Sequence, residues 1–308
     1  AVETSRHLSR AKTGDFSSTD VDSVLRIMPD PSHVIIHKGW FPDTFSDITD
    51  ETFCFVSLDA DLYAPTAAAL PLFYERLSIG GVLLIHDVYS TQFSGCKKLS
   101  AVTFPDTLTD LGEMAFFSCT SLTEVKLPEN LVILRGQAFG RCTALEKVYI
   151  PKSLSTCTTA YAWDATDYYG PFNLCSALKT VEIEEGLVKL PDSTFYGCTG
   201  PLEVSLPGSL KTIGGGAFNR CTGMKEITIP NTVTEIGASA FANTGLESVK
   251  MSSCLVELGE SAFSNSKLVS IQLPNTVTDI GNYAFRGCTE LKAVSYTHLR
   301  AHETRGNL

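Results

Sequence analysis

The stretch AFFSCTSLTEVKLPENLVILRGQ, residues 115–137, decides the fold. In its LTEVKLP segment Val125 and Leu127 alternate with Glu124 and Lys126, the period of a short strand with one buried face. Pro128 ends that strand, because proline lacks the N–H that a ladder needs. Leu131 and Leu134 supply a second apolar row. A unit this short cannot bury its apolar side alone; it needs a copy of itself on either side.

The copies are present. AFNRCTGMKEITIPNTVTEIGAS, residues 217–239, repeats the same order of residue types. Anchor phenylalanines stand at Phe93, Phe116, Phe139, Phe172, Phe195, Phe218, Phe241, Phe263 and Phe285, at intervals of 23, 23, 33, 23, 23, 23, 22 and 22 residues. The glycines of the I-G or L-G pairs, Gly214, Gly237 and Gly281 among them, suit the turn before the next Ala-Phe. Stacking such units predicts a solenoid with a parallel sheet along one face, its Phe, Cys, Leu, Val and Ile rows buried as ladders.

Seven cysteines lie three residues after an anchor: Cys96, Cys119, Cys142, Cys175, Cys198, Cys221 and Cys288. One per turn is the spacing of a ladder of small buried thiols; a metal site needs ligands converging within one unit. The two 22-residue units, with FANTGL and FSNSKL, lose one residue and the cysteine together. TIGGGAF, with Gly214, Gly215 and Gly216, aligns with EIGASAF, ELGESAF and DIGNYAF, so it is a repeat turn and not a phosphate loop. Exposed strand positions carry mixed charge and predict no ligand class.

This pattern resembles the BspA-type leucine-rich repeats over about residues 93–294. The resemblance implies a curved solenoid that binds proteins or surface ligands, a cell-surface or secreted location, and no catalytic residues. The 33-residue interval adds STCTTAYAWDATDYYGPF, an insert over about residues 153–170. Tyr161, Trp163, Tyr168 and Tyr169 interleave there with Asp164 and Asp167, whose spacing is not that of a calcium loop. Two readings stand: a projecting loop whose aromatics anchor a partner, or a loop folded back over the solenoid edge.

Residues 1–92 read differently. STDVDSVLRIMP and TAAALPLFYERL have helical patterning; SHVIIHKG and FCFVSLDADLY read as strands, and SIGGVLLIHD as a turn followed by another strand. Strand, helix and strand with apolar runs predict a parallel α/β unit, whose ligands sit at strand C-terminal ends. Asp59, Asp61, His86 and Asp87 fall there. KGWFPDTF, LDADLYAPT and LSIGGVLLIHDVYSTQF resemble the macrocin O-methyltransferase family. That resemblance implies S-adenosylmethionine, a sugar hydroxyl as acceptor, and magnesium held by Asp59 and Asp87. The family's glycine-rich cofactor loop and the strands on either side are missing, so the segment is an incomplete Rossmann-like piece. No methyl transfer and no cofactor are expected of the chain.

The tail VSYTHLRAHETRGNL resembles a translated sequencing adapter, and His298 and His302 at i, i+4 within it are not read as a metal site. A run shared by both families, in FSGCKKL of residues 93–99, is where two genes could have been joined. The expected division is 1–92, 93–294 and a non-native tail 295–308.

Composition bounds the rest. A net charge of −10 argues against nucleic acid and anionic membrane surfaces as partners. No apolar run approaches the ~18 residues of a membrane span. The fold class expected is α/β: a leucine-rich-repeat solenoid preceded by the partial Rossmann-like segment.

Overall fold

The computed structural model describes residues 53–58, 77–85, 92–161 and 168–296. Strand β1 (Phe53–Leu58) pairs in parallel with β2 (Leu77–Ile85). The register runs Phe53↔Leu77 and then Phe55↔Val82, so the extra residues of β2 bulge at Ser78–Gly81. A strand therefore begins where a turn was expected, and Gly80–Gly81 is the kind of sequence that accommodates a bulge. Two strands are too few to define a Rossmann-like sheet, and the helices expected at STDVDSVLRIMP and TAAALPLFYERL lie outside the described residues apart from Leu77.

From residue 92 the chain winds as a stack of three-sided coils. In chain order the strands are β3 (Asp110–Leu111), β4 (Glu124–Lys126), β5 (Ile133–Leu134), β6 (Lys147–Ile150), β7 (Thr156–Cys157), β8 (Ala160–Tyr161), β9 (Tyr168–Tyr169), β10 (Thr180–Ile183) and β11 (Lys189–Leu190). They continue as β12 (Glu203–Ser205), β13 (Thr212–Ile213), β14 (Glu226–Thr228), β15 (Glu235–Ile236), β16 (Ser248–Lys250), β17 (Glu257–Leu258), β18 (Ser270–Leu273), β19 (Asp279–Ile280) and β20 (Ala293–Tyr296). One side of each coil is the V-x-L strand, stacked as β4-β6-β10-β12, β14-β16 and β18-β20. The last of these runs through Tyr296, two residues into the expected tail, pairing Gln272↔Ser295 and Leu273↔Tyr296.

The expectation of one sheet needs correcting. The row containing Leu134 is itself a parallel ladder of two-residue strands, β3-β5-β7 and β11-β13-β15-β17-β19. The α/β class needs correcting too: among the described residues every regular element is a strand and none is a helix.

The third side shows why. It centres on the anchor Phe, and in most coils the residues two before and two after it adopt left-handed backbone: Gly216 (φ 59) and Arg220 (φ 62) flank Phe218, and Ser239 (φ 54) and Asn243 (φ 57) flank Phe241. Such residues break a helix. What they gain is alignment: Gly216, Phe218 and Arg220 all donate their N–H to the next coil, to Ala238, Ala240 and Ala242 carbonyls at 2.8–2.9 Å. The turn side is thus a hydrogen-bonded ladder of its own.

Inside, the anchor rings form one column. Successive pairs from Phe93 to Phe285 stack at 4.8–5.8 Å between centroids. Eight of the nine rings have no exposed surface, while Phe285 is only partly buried. Each buried ring removes apolar area worth about 1.5–3 kcal/mol, and stacking adds roughly 0.5–1.5 kcal/mol per pair.

Candidate binding surface

The insert leaves the solenoid at the corner between the two-residue ladder and the turn side. There β8 and β9 pair antiparallel, Ala160↔Tyr169 and Tyr161↔Tyr168. Neighbouring coils brace this hairpin. The Gln137 side chain donates to the carbonyls of Ala160 (3.4 Å) and Tyr161 (3.1 Å), and the Gly136 N–H donates to the Thr158 hydroxyl at 2.9 Å. On the far side the Tyr169 ring lies 6.0 Å from Tyr196, and the Arg220 guanidinium stands over both rings at 5.7 and 5.9 Å. Arg220 also donates to the Tyr169 hydroxyl at 3.3 Å.

The two readings of the insert therefore divide by residue. Tyr169 folds back onto the solenoid, whereas Tyr161 is 51% exposed. Tyr168 contributes its backbone to β9, and Trp163 lies outside the described residues. Asp59, His86 and Asp87 also lie outside them, so the magnesium site implied by resemblance has no geometry here. Among the described residues no cluster of three His, Cys, Asp or Glu side chains is placed to hold a metal ion.

The strand side offers a second surface. Its charges are mostly paired across neighbouring strands: Lys147 with Glu182 at 3.0 Å, Lys152 with Glu184 at 2.7 Å, Lys225 with Glu247 at 2.7 Å. The backbone N–H and side chain of Lys152 together hold the Glu184 carboxyl below the usual range. Between β12 and β14 the ladder is interrupted. Pro201 stands one residue before the inward-turning Leu202, so the Cys198–Leu202 interval is four residues where Cys119–Leu122 is three. The open groove there, about 700 Å³, is lined by Leu202, Val204, Lys225, Ile227 and Lys250 among others.

The cysteine row carries a feature that spacing alone does not show. The thiols of Cys119, Cys142, Cys175 and Cys221 each donate to the carbonyl of an earlier anchor Phe at 3.1–3.2 Å. Where the cysteine is missing, Thr244 and Ser266 stand at the same place, three after the ring, with hydroxyl groups. The spacing and the residue types could have signalled this, since both replacements are hydrogen-bonding groups.

The family model described as BspA type leucine rich repeat region matches residues 85–164 and 168–292, in 6 copies. The chain belongs to the BspA-type leucine-rich repeat family. A second family model, macrocin-O-methyltransferase, matches residues 22–103 of this BspA-type chain. The two matches overlap on residues 85–103, the same stretch where both patterns fit FSGCKKL.

No curated protein matches the chain. Among solved structures it is similar to a leucine-rich repeat protein from Bacteroides ovatus, at 22% identity over 78% of this chain and 56% of that one, TM-score 0.47. A leucine-rich repeat protein of T. pallidum is 25% identical over 68% of this chain and 78% of that one, TM-score 0.37. The pneumococcal vaccine antigen PcpA is 21% identical over 70% of this chain and 62% of that one, TM-score 0.41. The BspA-type chain thus spans just over half the length of the Bacteroides ovatus protein.

Proposed function

We propose that the chain is a binding module for proteins or other surface ligands and is not catalytic. The observation that carries this reading is the insert: a hairpin braced by Gln137 on one side and by Tyr196 and Arg220 on the other, with Tyr161 turned outward. A rigid aromatic on a braced loop is an economical anchor, since little entropy is lost when it docks. Membership of the BspA-type family supports a cell-surface or secreted location, and no helix among the described residues is long and apolar enough to cross a membrane. The test is a binding screen against a panel of extracellular proteins. A captured partner whose affinity falls ten-fold or more in Tyr161→Ala and Trp163→Ala supports the reading; a partner indifferent to both removes the insert from it.

The macrocin-O-methyltransferase match supports a second reading, a magnesium- and S-adenosylmethionine-dependent O-methyltransferase present here only in part. Calorimetry separates the two. Binding of S-adenosylmethionine with magnesium that Asp59→Ala and Asp87→Ala abolish favours the enzyme; no heat favours the binding module. The overlapping matches also support a junction of two genes within residues 85–103. One uninterrupted long read through the codons for Tyr89 to Ser100 would overturn that junction.

A further inference from the structure

The break in the strand side between β12 and β14 has a local cause. In the coils of Phe116, Phe139, Phe172 and Phe218 one exposed residue, Thr123, Glu146, Lys179 or Lys225, offers its carbonyl to the next coil. Glu146 and Lys147 N–H groups donate to Thr123, Lys179 and Thr180 to Glu146, Glu203 to Lys179, and Glu247 and Ser248 to Lys225. In the coil of Phe195 that position is Leu202, turned inward behind Pro201 and 2% exposed. The Lys225 and Glu226 N–H groups make no bond to its carbonyl. At the far end of the strands the Leu127 N–H donates to Tyr149 and the Ile229 N–H to Lys250, but the Leu206 N–H makes no such bond to Thr228.

In a parallel ladder, alternate residues turn both backbone groups toward the same neighbour. Glu203 bonds back to Lys179, so Val204 turns its N–H and carbonyl toward β14. Lys225 and Ile229 bond forward to the coil of Phe241, so Glu226 and Thr228 turn theirs toward β12. The two strands thus face each other with backbone donors and acceptors that neither takes up. Apolar side chains are reachable through the same opening. Val204 and Leu206 are only partly buried, where Val125, Leu127, Val148 and Ile150 have no exposed surface. The break between β16 and β18 is less complete, since the Val269 N–H still donates to the Glu247 carbonyl at 3.3 Å.

We propose that this opening takes up an extended strand of a partner polypeptide, parallel to β12 and β14, in which a basic residue is followed by alternating apolar ones. The chain shows such a seat within itself. Strand β6, KVYI, lies between β4 and β10; Lys147 stands 3.8 Å from Glu124 and 3.0 Å from Glu182, and Val148 and Ile150 turn inward. At the opening, Glu203 and Glu226 occupy the same repeat position, as do Val204 with Ile227 and Leu206 with Ile229. Like charges at facing strand positions repel, and a basic residue between them relieves this. Glu226 has no ion pair among the described residues, and Glu203 reaches Lys179 only at 3.9 Å. Of the lysines at the opening, Lys225 is neutralised by Glu247 at 2.7 Å, and Lys250 stands on β16, beyond β14. Only the strand side has to widen, by at most about one strand spacing, ~4.8 Å; the β13-β15 and turn-side bonds remain as the hinge. Main-chain bonds then supply affinity and the alternating side chains selectivity. The proposal rests on the chain being a binding module but names a different surface from the hairpin tip.

The test is binding of a labelled synthetic peptide, LEKVYIPK (residues 145–152), to the full chain, read by fluorescence anisotropy and by amide exchange. The peptide is expected to bind and to protect the amides of Val204, Glu226 and Thr228. Lys147→Glu in the peptide, or N-methylation of its Val148 and Ile150 amides, is expected to weaken binding at least ten-fold. Glu226→Gln in the chain, at an exposed position that leaves the fold intact, is expected to weaken it about three-fold, and Glu226→Lys at least ten-fold. Tyr161→Ala is expected to leave it unchanged. Equal binding of the charge-reversed or N-methylated peptide, or protection confined to the outer edge of β20, overturns the proposal. A chain that captures extracellular proteins through its insert yet ignores the peptide also overturns it, while leaving the binding-module reading intact.

Discussion

Three residues after the rings inside the stack, at Cys119, Cys142, Cys175 and Cys221, the side chain fits a closed corner and donates a hydrogen bond. A cysteine does both: Cys221 has no exposed surface and its thiol donates to the Phe195 carbonyl at 3.2 Å. Cys221→Ser keeps a donor of similar size and is expected to cost under about 1 kcal/mol. Cys221→Val removes the donor and is expected to cost about 1–3 kcal/mol; urea unfolding distinguishes the two. Burial also disfavours the thiolates, pushing Cys142 and Cys198 up to about 12 and raising Cys119, Cys175 and Cys221 well above the ordinary thiol range. Unfolded thiols ionise from about pH 8.5. Between that value and about 12 the unfolded chain releases protons that the folded chain keeps, so the folded state loses stability as pH rises through this window. Below it these thiols leave stability unchanged with pH. Unfolding midpoints across pH 7–11 check this, and Cys142→Ser with Cys198→Ser is expected to flatten the decline.

The elements divide by how much of their geometry is local. At Gly95 and Gly197 the backbone is nearly the same, φ +79 and φ +81, but a Cβ at Gly95 would meet nothing within 4 Å, whereas at Gly197 it would meet Asn173 Oδ1 at 2.7 Å and the Tyr169 ring at 2.9 Å. Gly95→Ala is therefore expected to cost about 1 kcal/mol, the backbone cost alone. Gly197→Ala is expected to cost about 1–3 kcal/mol more, because it displaces the hairpin's foot; the difference between the two midpoints measures the hairpin's attachment. The same contrast explains what could be read beforehand. The V-x-L strands, the ring column and the insert follow from alternation and spacing, which are local and visible in residues such as Val125, Leu127 and Phe116. The turn side does not. Its left-handed positions are occupied by Met114, Ser118, Arg141 and Leu174 as readily as by glycine. The conformation comes from N–H groups aligning on the next coil, a property of the stack and not of any one unit. The two-residue ladder was hidden for a related reason: an I-G pair is too short to show a period of two. Of the candidate site, Tyr161 and Tyr169 were nameable, but which faces out was set by Arg220, 51 residues beyond Tyr169.

A stack of coils is held by nearest neighbours, so its stability is a sum of coil terms and interface terms. Three neighbouring pairs of coils, Phe116–Phe139, Phe172–Phe195 and Phe218–Phe241, are joined on all three sides, the first by β4-β6, β5-β7 and the turn-side bonds. The coils of Phe195 and Phe218 are joined on two, because β12 and β14 are not hydrogen-bonded while β13-β15 and the turn side are; β16 and β18 are unpaired as well, but there the Val269 N–H still donates to the Glu247 carbonyl at 3.3 Å. Their ring contact, 5.4 Å between centroids, carries a larger share of that interface. Phe218→Ala removes the ring and its contacts, a loss of about 3–5 kcal/mol. It falls on an interface already short of a ladder, so the coupling between the two halves of the stack is expected to fail before the halves do. Urea unfolding of Phe218→Ala is expected to show two steps, with amides of residues 217–296 exchanging earlier than those of 93–216. Phe116→Ala, set beside a three-sided interface, removes a comparable buried ring and is expected to keep one step with a lower midpoint. Two steps in both variants, or one in both, would show that the interruption at Pro201 does not weaken the stack.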